Sequence, residues 1–361
     1  MTGRQVRQPG EKLRDFILKN VPGHPDDIVA LTAQKFACSP QAVHKHIKRL
    51  VEQGSIKKTG SNKKPDYKLA PLASHKWTYA LDGGLGEHDV WERDVLPHLQ
   101  ALPKNVLLIW EYGFTEMVNN AIDHSGGAEL VVSLICMPTS TMISIRDNGI
   151  GIFRKIQGEL DLADERLAIF ELAKGKLTTD PKNHTGQGIF FTSRMMDMFH
   201  IASGELTFVH SQGANRDVLL DGGPPVGTAV TMSLNNHTSR STKKVFDEYS
   251  SKDGDYTFNK TIVPVKLSKL ASELVSRSQA KRLLARVDLF EVVLFDFEGV
   301  ETIGQSFADE IFRVYARSHP KMRIQPVHAN KQVSEMIARA RSEPNAAPVA
   351  PSPPTSYPIA R

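Results

Sequence analysis

Residues 114–151 read FTEMVNNAIDHSGGAELVVSLICMPTSTMISIRDNGIG, and this stretch constrains the fold more than any other. Its first part has helical spacing. Glu116 and Asn120 are four apart, so they share one face, one turn above the other. Met117, Val118, Ala121 and Ile122 are left to face a core. An acid beside an amide suits two jobs. The Asn carbonyl oxygen can ligate Mg²⁺, a hard cation that keeps waters and takes few protein ligands. The Glu can orient or deprotonate a water or hydroxyl. Taken alone, the pattern also fits an amphipathic helix with a solvated polar stripe.

Two short apolar strands follow, 131–136 and 142–145, with a turn at 138–140. The second runs into Asp147-Asn148-Gly149-Ile150-Gly151, where glycines let backbone approach a ligand closely. A buried Asp there can accept from an exocyclic amine such as adenine N6. A lone DxGxG is also ordinary turn chemistry. A third block, Thr185-Gly186-Gln187-Gly188, precedes a helical stretch and offers backbone N–H groups and a positive dipole end to phosphate. A fourth, residues 227–232, reads as a strand that closes the sheet.

These four blocks, in this order, resemble the GHKL ATPases: gyrase, the heat-shock chaperone, mismatch-repair ATPases, histidine kinases and anti-sigma-factor kinases. Glu116-x-x-x-Asn120 resembles their N box, Asp147-x-Gly149-x-Gly151 the G1 box and Gly186-x-Gly188 the G2 box. The resemblance implies an α/β sandwich that binds ATP and Mg²⁺. It makes Asn120 the metal ligand, Glu116 the catalytic base and Asp147 the adenine acceptor, sharing a water with Thr228. Asp123, Gly149, Gly151, Gly186 and Gly188 complete the implied ATP site. Asn120 to His124 is most similar to the anti-sigma-factor kinases. Residues 153–185 become the ATP lid, in which Lys174, Lys176, Thr178 and Thr179 either meet phosphates or sit in a solvated loop. The segment before residue 105 has no room for the two long phosphoacceptor helices of a sensor histidine kinase.

Charge divides the chain. Residues 1–70 hold 14 Lys+Arg and 6 Asp+Glu out of 45 and 40 overall, so the remainder is net −3 and the basic excess is N-terminal. That asymmetry suggests a nucleic-acid module. Residues 11–20, 26–36 and 40–53 have helical spacing, with Ser39-Pro40 as a helix start and Val43, Ile47, Leu50 and Val51 facing inward. A basic hairpin follows at 55–69. Three helices and a hairpin resemble a winged helix, whose third helix enters the major groove while the wing touches phosphates. This implies DNA contacts by His44, Lys45 and Lys48 on the helix and Lys57, Lys58, Lys63 and Lys64 on the wing. Winged helices also serve as protein-interaction modules.

Residues 236–255 are polar and basic and read as a linker. Beyond them strands and helices alternate: strand 258–265, helix 268–286, strand 291–297, helix 305–318, strand 323–328, helix 331–341. This predicts a small α/β domain with mostly parallel pairing. Residues 294–307 resemble the STAS fold, the partner fold of the anti-sigma-factor kinases. The antagonists carry Asp-Ser-Ser-Gly at the helix start where this chain has Gly304-Gln305-Ser306-Phe307. Ser306 is therefore either a phosphoacceptor or a helix cap.

The expected architecture is α/β multidomain. It comprises a winged helix-turn-helix (1–72), a GHKL ATPase (73–235), a linker (236–255), a STAS-like domain (256–341) and a Pro/Ala-rich tail (342–361). With no signal peptide, no apolar run of membrane length and two cysteines, Cys38 and Cys136, outside any metal spacing, a cytoplasmic protein is expected. Expected partners are ATP, DNA and a regulatory protein, with a homodimer left open. Two functions from different classes fit: an ATP-dependent regulatory switch on DNA, and a serine protein kinase acting on its own or a partner STAS domain.

Overall fold

The computed structural model describes residues 9–61, 64–177, 186–214, 216–224, 226–250, 258–268 and 274–342. It is a mixed α/β, multidomain molecule. Helices α1 (Pro9–Asn20), α2 (Ile28–Phe36) and α3 (Pro40–Glu52) come first. Ser39 Oγ accepts the Ala42 N–H at 3.2 Å, and Pro40 takes the first helical position, where its missing N–H costs nothing. Leu13, Ile17, Ile28, Val43, Ile47 and Leu50 pack with Ile56 and Tyr67 in a core of their own. The last two belong to an antiparallel hairpin of β1 (Ile56–Gly60) and β2 (Pro65–Leu69). Val51 departs from expectation. The buried stripe of α3 runs through positions 43, 47 and 50, which leaves Val51 36% exposed.

Residues 70–72 lead directly into β3 (Ala73–Ala80), the edge of a seven-stranded antiparallel sheet. The chain then passes through α4 (Glu87–Val90), a π-helical stretch (Trp91–Val95) and α5 (Leu96–Leu99) to the long α6 (Lys104–His124). Strands β4 (Glu129–Cys136) and β5 (Ser140–Asp147) form the expected hairpin. Helices α7 (Ile152–Glu159), α8 (Glu165–Lys174) and α9 (Gly188–Met195) follow, then β6 (Met198–Ser203), β7 (Leu206–Ser211), β8 (Arg216–Asp221) and β9 (Thr228–Asn235). The sheet order is β3-β4-β5-β9-β6-β7-β8, so β9 fills the middle of the sheet rather than closing its edge. Alternate residues are buried on one face, as a sheet covered on one side requires. Val132, Ile145 and Val230 sit side by side across three strands, as do Leu134, Ile143 and Met232. Met117, Val118 and Ala121 of α6 belong to the same core.

The expected linker is partly structured. Helix α10 (Thr242–Tyr249) is capped by Ser241 and buries Val245 and Tyr249, while Phe246 packs edge-on against Tyr112 at 5.4 Å. Residues 251–255 lie outside the described residues. The C-terminal domain is a parallel three-stranded sheet, β10 (Lys260–Pro264), β11 (Val292–Asp296) and β12 (Arg323–Val327), in that order. Of the helix expected over 268–286, residues 269–273 lie outside the described residues, and 274–276 and 285–286 are not helical. A 3-10 turn occupies Val265–Ser268, and α11 (Arg277–Leu284) begins at a capping box of Ser276 and Gln279. After β11 come α12 (Gln305–Asp309), a π-helical stretch (Glu310–Tyr315) and α13 (Ala316–Ser318); α14 (Lys331–Ser342) ends the domain. No helix among the described residues is long and apolar enough to cross a membrane.

Candidate functional site

One cavity of about 350 Å³ gathers most of the predicted site. Glu116 and Asn120 reach it from α6, Asp147 from the end of β5, and Gly151 from the loop after it. Gly186 and Gly188 border it at the start of α9, and Thr228 at the start of β9. Ile145, Ile152, Ile156, Leu172, Ile189 and Val230 give it apolar walls.

Local chemistry fixes the loop between β5 and α7. Asp147 Oδ1 accepts the Gly149 N–H at 2.9 Å and the Thr228 N–H at 3.2 Å. Neither of these donors is spent on Oδ2. Burial pushes the Asp147 carboxyl up, opposed by those N–H groups. Thr228 Oγ1 accepts the Ile152 N–H at 2.9 Å, so its own proton is free to be donated. Asn148 Oδ1 accepts from Ala128 N and Glu129 N, and Ile150 N donates to Ser125 O, which ties the loop to the end of α6. Gly149 is needed for space, because a Cβ there would run into the backbone carbonyl of Ser125. A Cβ at Gly188 would displace the Glu116 carboxylate. Gly151 is needed for its conformation, φ +90°.

Two expected members stand apart. Asp123 is exposed in the last turn of α6 and does not line the cavity, although the helical period puts it on the same side as Glu116 and Asn120. Gly149 shapes the loop without lining the cavity. Conversely, Asn119 and Lys155 line it, although the motifs do not single them out, and so does His124, the end of the stretch most similar to the anti-sigma-factor kinases. Lys155 lies one helical turn after Gly151 and donates to His124 O at 3.0 Å. That spacing, a lysine in the first turn after the glycine loop, is the available signal.

The lysines of the expected lid do not point into the cavity. Lys174 is buried, paired with Glu171 at 2.8 Å, and donates to Ala285 O at 2.6 Å in the C-terminal domain. Lys176 donates to Leu289 O at 2.8 Å. Burial pushes both ammonium groups down, with Glu171 opposing it at Lys174 and Glu291 at Lys176. Thr178 and Thr179 lie outside the described residues.

On the N-terminal module His44, Lys45 and Lys48 share the exposed face of α3, and Lys57 and Lys58 are exposed on β1. Lys64 is also exposed, and Lys63 is outside the described residues. In the C-terminal domain Ser306 is exposed in the first turn of α12, beyond the carboxyl end of β11. Near that same end Asp296, Glu298 and His328 have ligand-type atoms within 4.8 Å of one another. His328 Nδ1 already pairs with Asp296 Oδ1 at 2.8 Å, which accounts for the cluster without an ion.

The C-terminal domain has a known relative. Residues 279–334 match the STAS-like domain of unknown function (DUF4325). The STAS-like domain thus spans α11, β11, β12 and the start of α14, with β10 as the third strand of its sheet. A comparison with curated proteins found no match. A STAS-like domain is compatible with a regulatory role.

Proposed function

We propose that the chain binds Mg-ATP in the cavity beneath α6 and is a regulatory protein in which that site, of the GHKL type, is coupled to a DNA-binding winged helix and to the STAS-like domain. The observation that carries this is the convergence of Glu116, Asn120, Asp147, Gly188 and Thr228, from separate points of the chain, on one cavity. The donor set fits the ligand. Asp147 Oδ2 is a buried acceptor for an exocyclic amine, with the Thr228 hydroxyl beside it to share a water. The apolar walls suit a purine ring. Gly186 and Gly188 leave the first N–H groups of α9 uncovered for phosphate oxygens, and Lys155 adds a cation to the lining. Asn120 would hold Mg²⁺, which neutralises phosphate charge when bound. Glu116, held over Gly188, would orient or deprotonate the water or hydroxyl that attacks.

The alternative, a serine kinase acting on its own STAS-like domain, is less well served by the geometry. The groups that hydrogen-bond the lid segment, on Thr261, Ala285, Arg286 and Leu289, lie at the amino ends of the parallel strands. Ser306 follows the carboxyl end of β11, more than about 13 Å of strand away. Transfer to a separate partner's serine is not affected by this placement. The coupling is tested by DNA binding at fixed salt with and without Mg-ATP. The expected result is a nucleotide-dependent affinity that Lys45→Glu and Lys48→Glu abolish in both states. Equal affinity in the two states rejects the switch, because a ligand indifferent to two states shifts neither.

A further inference from the structure

The segment between α8 and the cavity is held by a reciprocal set of hydrogen bonds to the C-terminal domain. Lys174 Nζ donates to Ala285 O at 2.6 Å, and Lys176 Nζ to Leu289 O at 2.8 Å. In return Thr261 Oγ1 donates to Lys174 O at 2.5 Å, and Arg286 to Lys176 O at 2.8 Å. Arg286 also reaches Glu171 at 3.4 Å, so the Glu171–Lys174 pair is completed from the other domain. Between the two lysines Gly175, at φ +81°, lies against the Phe258 ring, where a Cβ would clash. Phe258 also meets Phe190 of α9 at 4.7 Å. Leu172 and Leu177, on either side of this segment, line the cavity, and Leu177 N donates to Gly186 O at 3.0 Å.

We propose that this contact regulates the nucleotide site: docking of the STAS-like domain holds Leu172 and Leu177 in place as a pocket wall, so that docking and nucleotide binding strengthen each other. The proposal rests on the nucleotide reading of the cavity. The contact is all-or-none rather than graded. Lys174 is 1% exposed, and a buried ammonium tolerates its site only while every partner is present. A partial displacement that admits no water would strip it of Ala285 O and leave the Lys174 and Lys176 carbonyls without donors. The Lys176 ammonium, 4.8 Å from the Phe290 ring, would lose that face as well. Because linkage is reciprocal, whatever engages the STAS-like domain at Thr261, Arg286 or Leu289 competes with the lid and releases nucleotide.

The test uses the full chain and a fluorescent ribose-labelled ATP analogue with Mg²⁺, followed by stopped-flow dissociation. Thr261→Val removes one donor at nearly constant volume, and Arg286→Ala removes a partly exposed one, so the two do not share a folding risk. Each is expected to speed release about tenfold. Amide exchange over residues 165–177 should rise in parallel, and nucleotide should protect that segment in the wild type. Unchanged release and exchange in both variants, with the wild type binding normally, overturns the clamp and leaves the pocket standing. No binding by the wild type overturns both, and is seen before any variant is made.

Discussion

Asp147→Asn is expected to lower the affinity for ATP by about a hundredfold or more and to leave the fold intact. The variant amide has one oxygen and one NH₂, and the protein decides which goes where. Gly149 N and Thr228 N both donate to the Oδ1 position, at 2.9 and 3.2 Å, so the amide oxygen takes that place. The NH₂ then occupies the Oδ2 position and faces the ligand. An exocyclic amine brought against it is donor against donor, in a site that burial already makes costly for unpaired groups. A carbonyl at the same ring position suits it better. Discrimination between ATP and inosine triphosphate should therefore fall or reverse in Asp147→Asn, as read by competitive displacement. A variant that keeps wild-type affinity and preference means that Asp147 does not read the base.

Gly149→Ala destabilises the central domain by about 3 kcal/mol, because one methyl group has nowhere to go. The added carbon would overlap the carbonyl carbon and oxygen of Ser125, which are backbone and cannot rotate aside. Ser125 O also accepts the Ile150 N–H at 3.0 Å, so pushing it away breaks the tie between the loop and α6. Gly158 provides the comparison. It is helical in α7, and a Cβ added there would meet nothing within 4 Å, so Gly158→Ala should hold or raise the melting temperature. Thermal unfolding of the two variants decides the matter; equal melting temperatures contradict the packing described for the loop.

The cavity is legible in the sequence because its chemistry comes from short local patterns. Glu116 and Asn120 share a helix face by spacing alone, and Asp147, Gly151 and Gly188 sit at ends of elements that glycine punctuates. Thr228 is placed by resemblance, not by spacing. What escapes depends on tertiary partners. Lys174 and Lys176 look like lid cations in the sequence, but Glu171 pairs with the first, and Ala285 O and Leu289 O, more than a hundred residues later, accept from the two of them. Residues 242–249 have the polar composition of a linker, although Val245, Phe246 and Tyr249 at helical spacing mark a packed face. In α11 a run of helix-compatible residues conceals the start, which the Ser276–Gln279 capping box defines. The basic face of α3 is exposed as expected, and charge spacing on a capped helix is enough to show that.

Titration calorimetry of the full chain with ATP, in the presence and absence of Mg²⁺, is the direct test of the proposed nucleotide site. Binding of one ATP per chain, strengthened by Mg²⁺, is predicted. In Asn120→Ala the Mg²⁺ dependence should disappear while residual Mg²⁺-free binding persists, since in the proposed site Asn120 would hold the metal and Asp147 the base. Absence of binding at millimolar ATP, or binding that neither Asn120→Ala nor Asp147→Asn alters, would contradict the account.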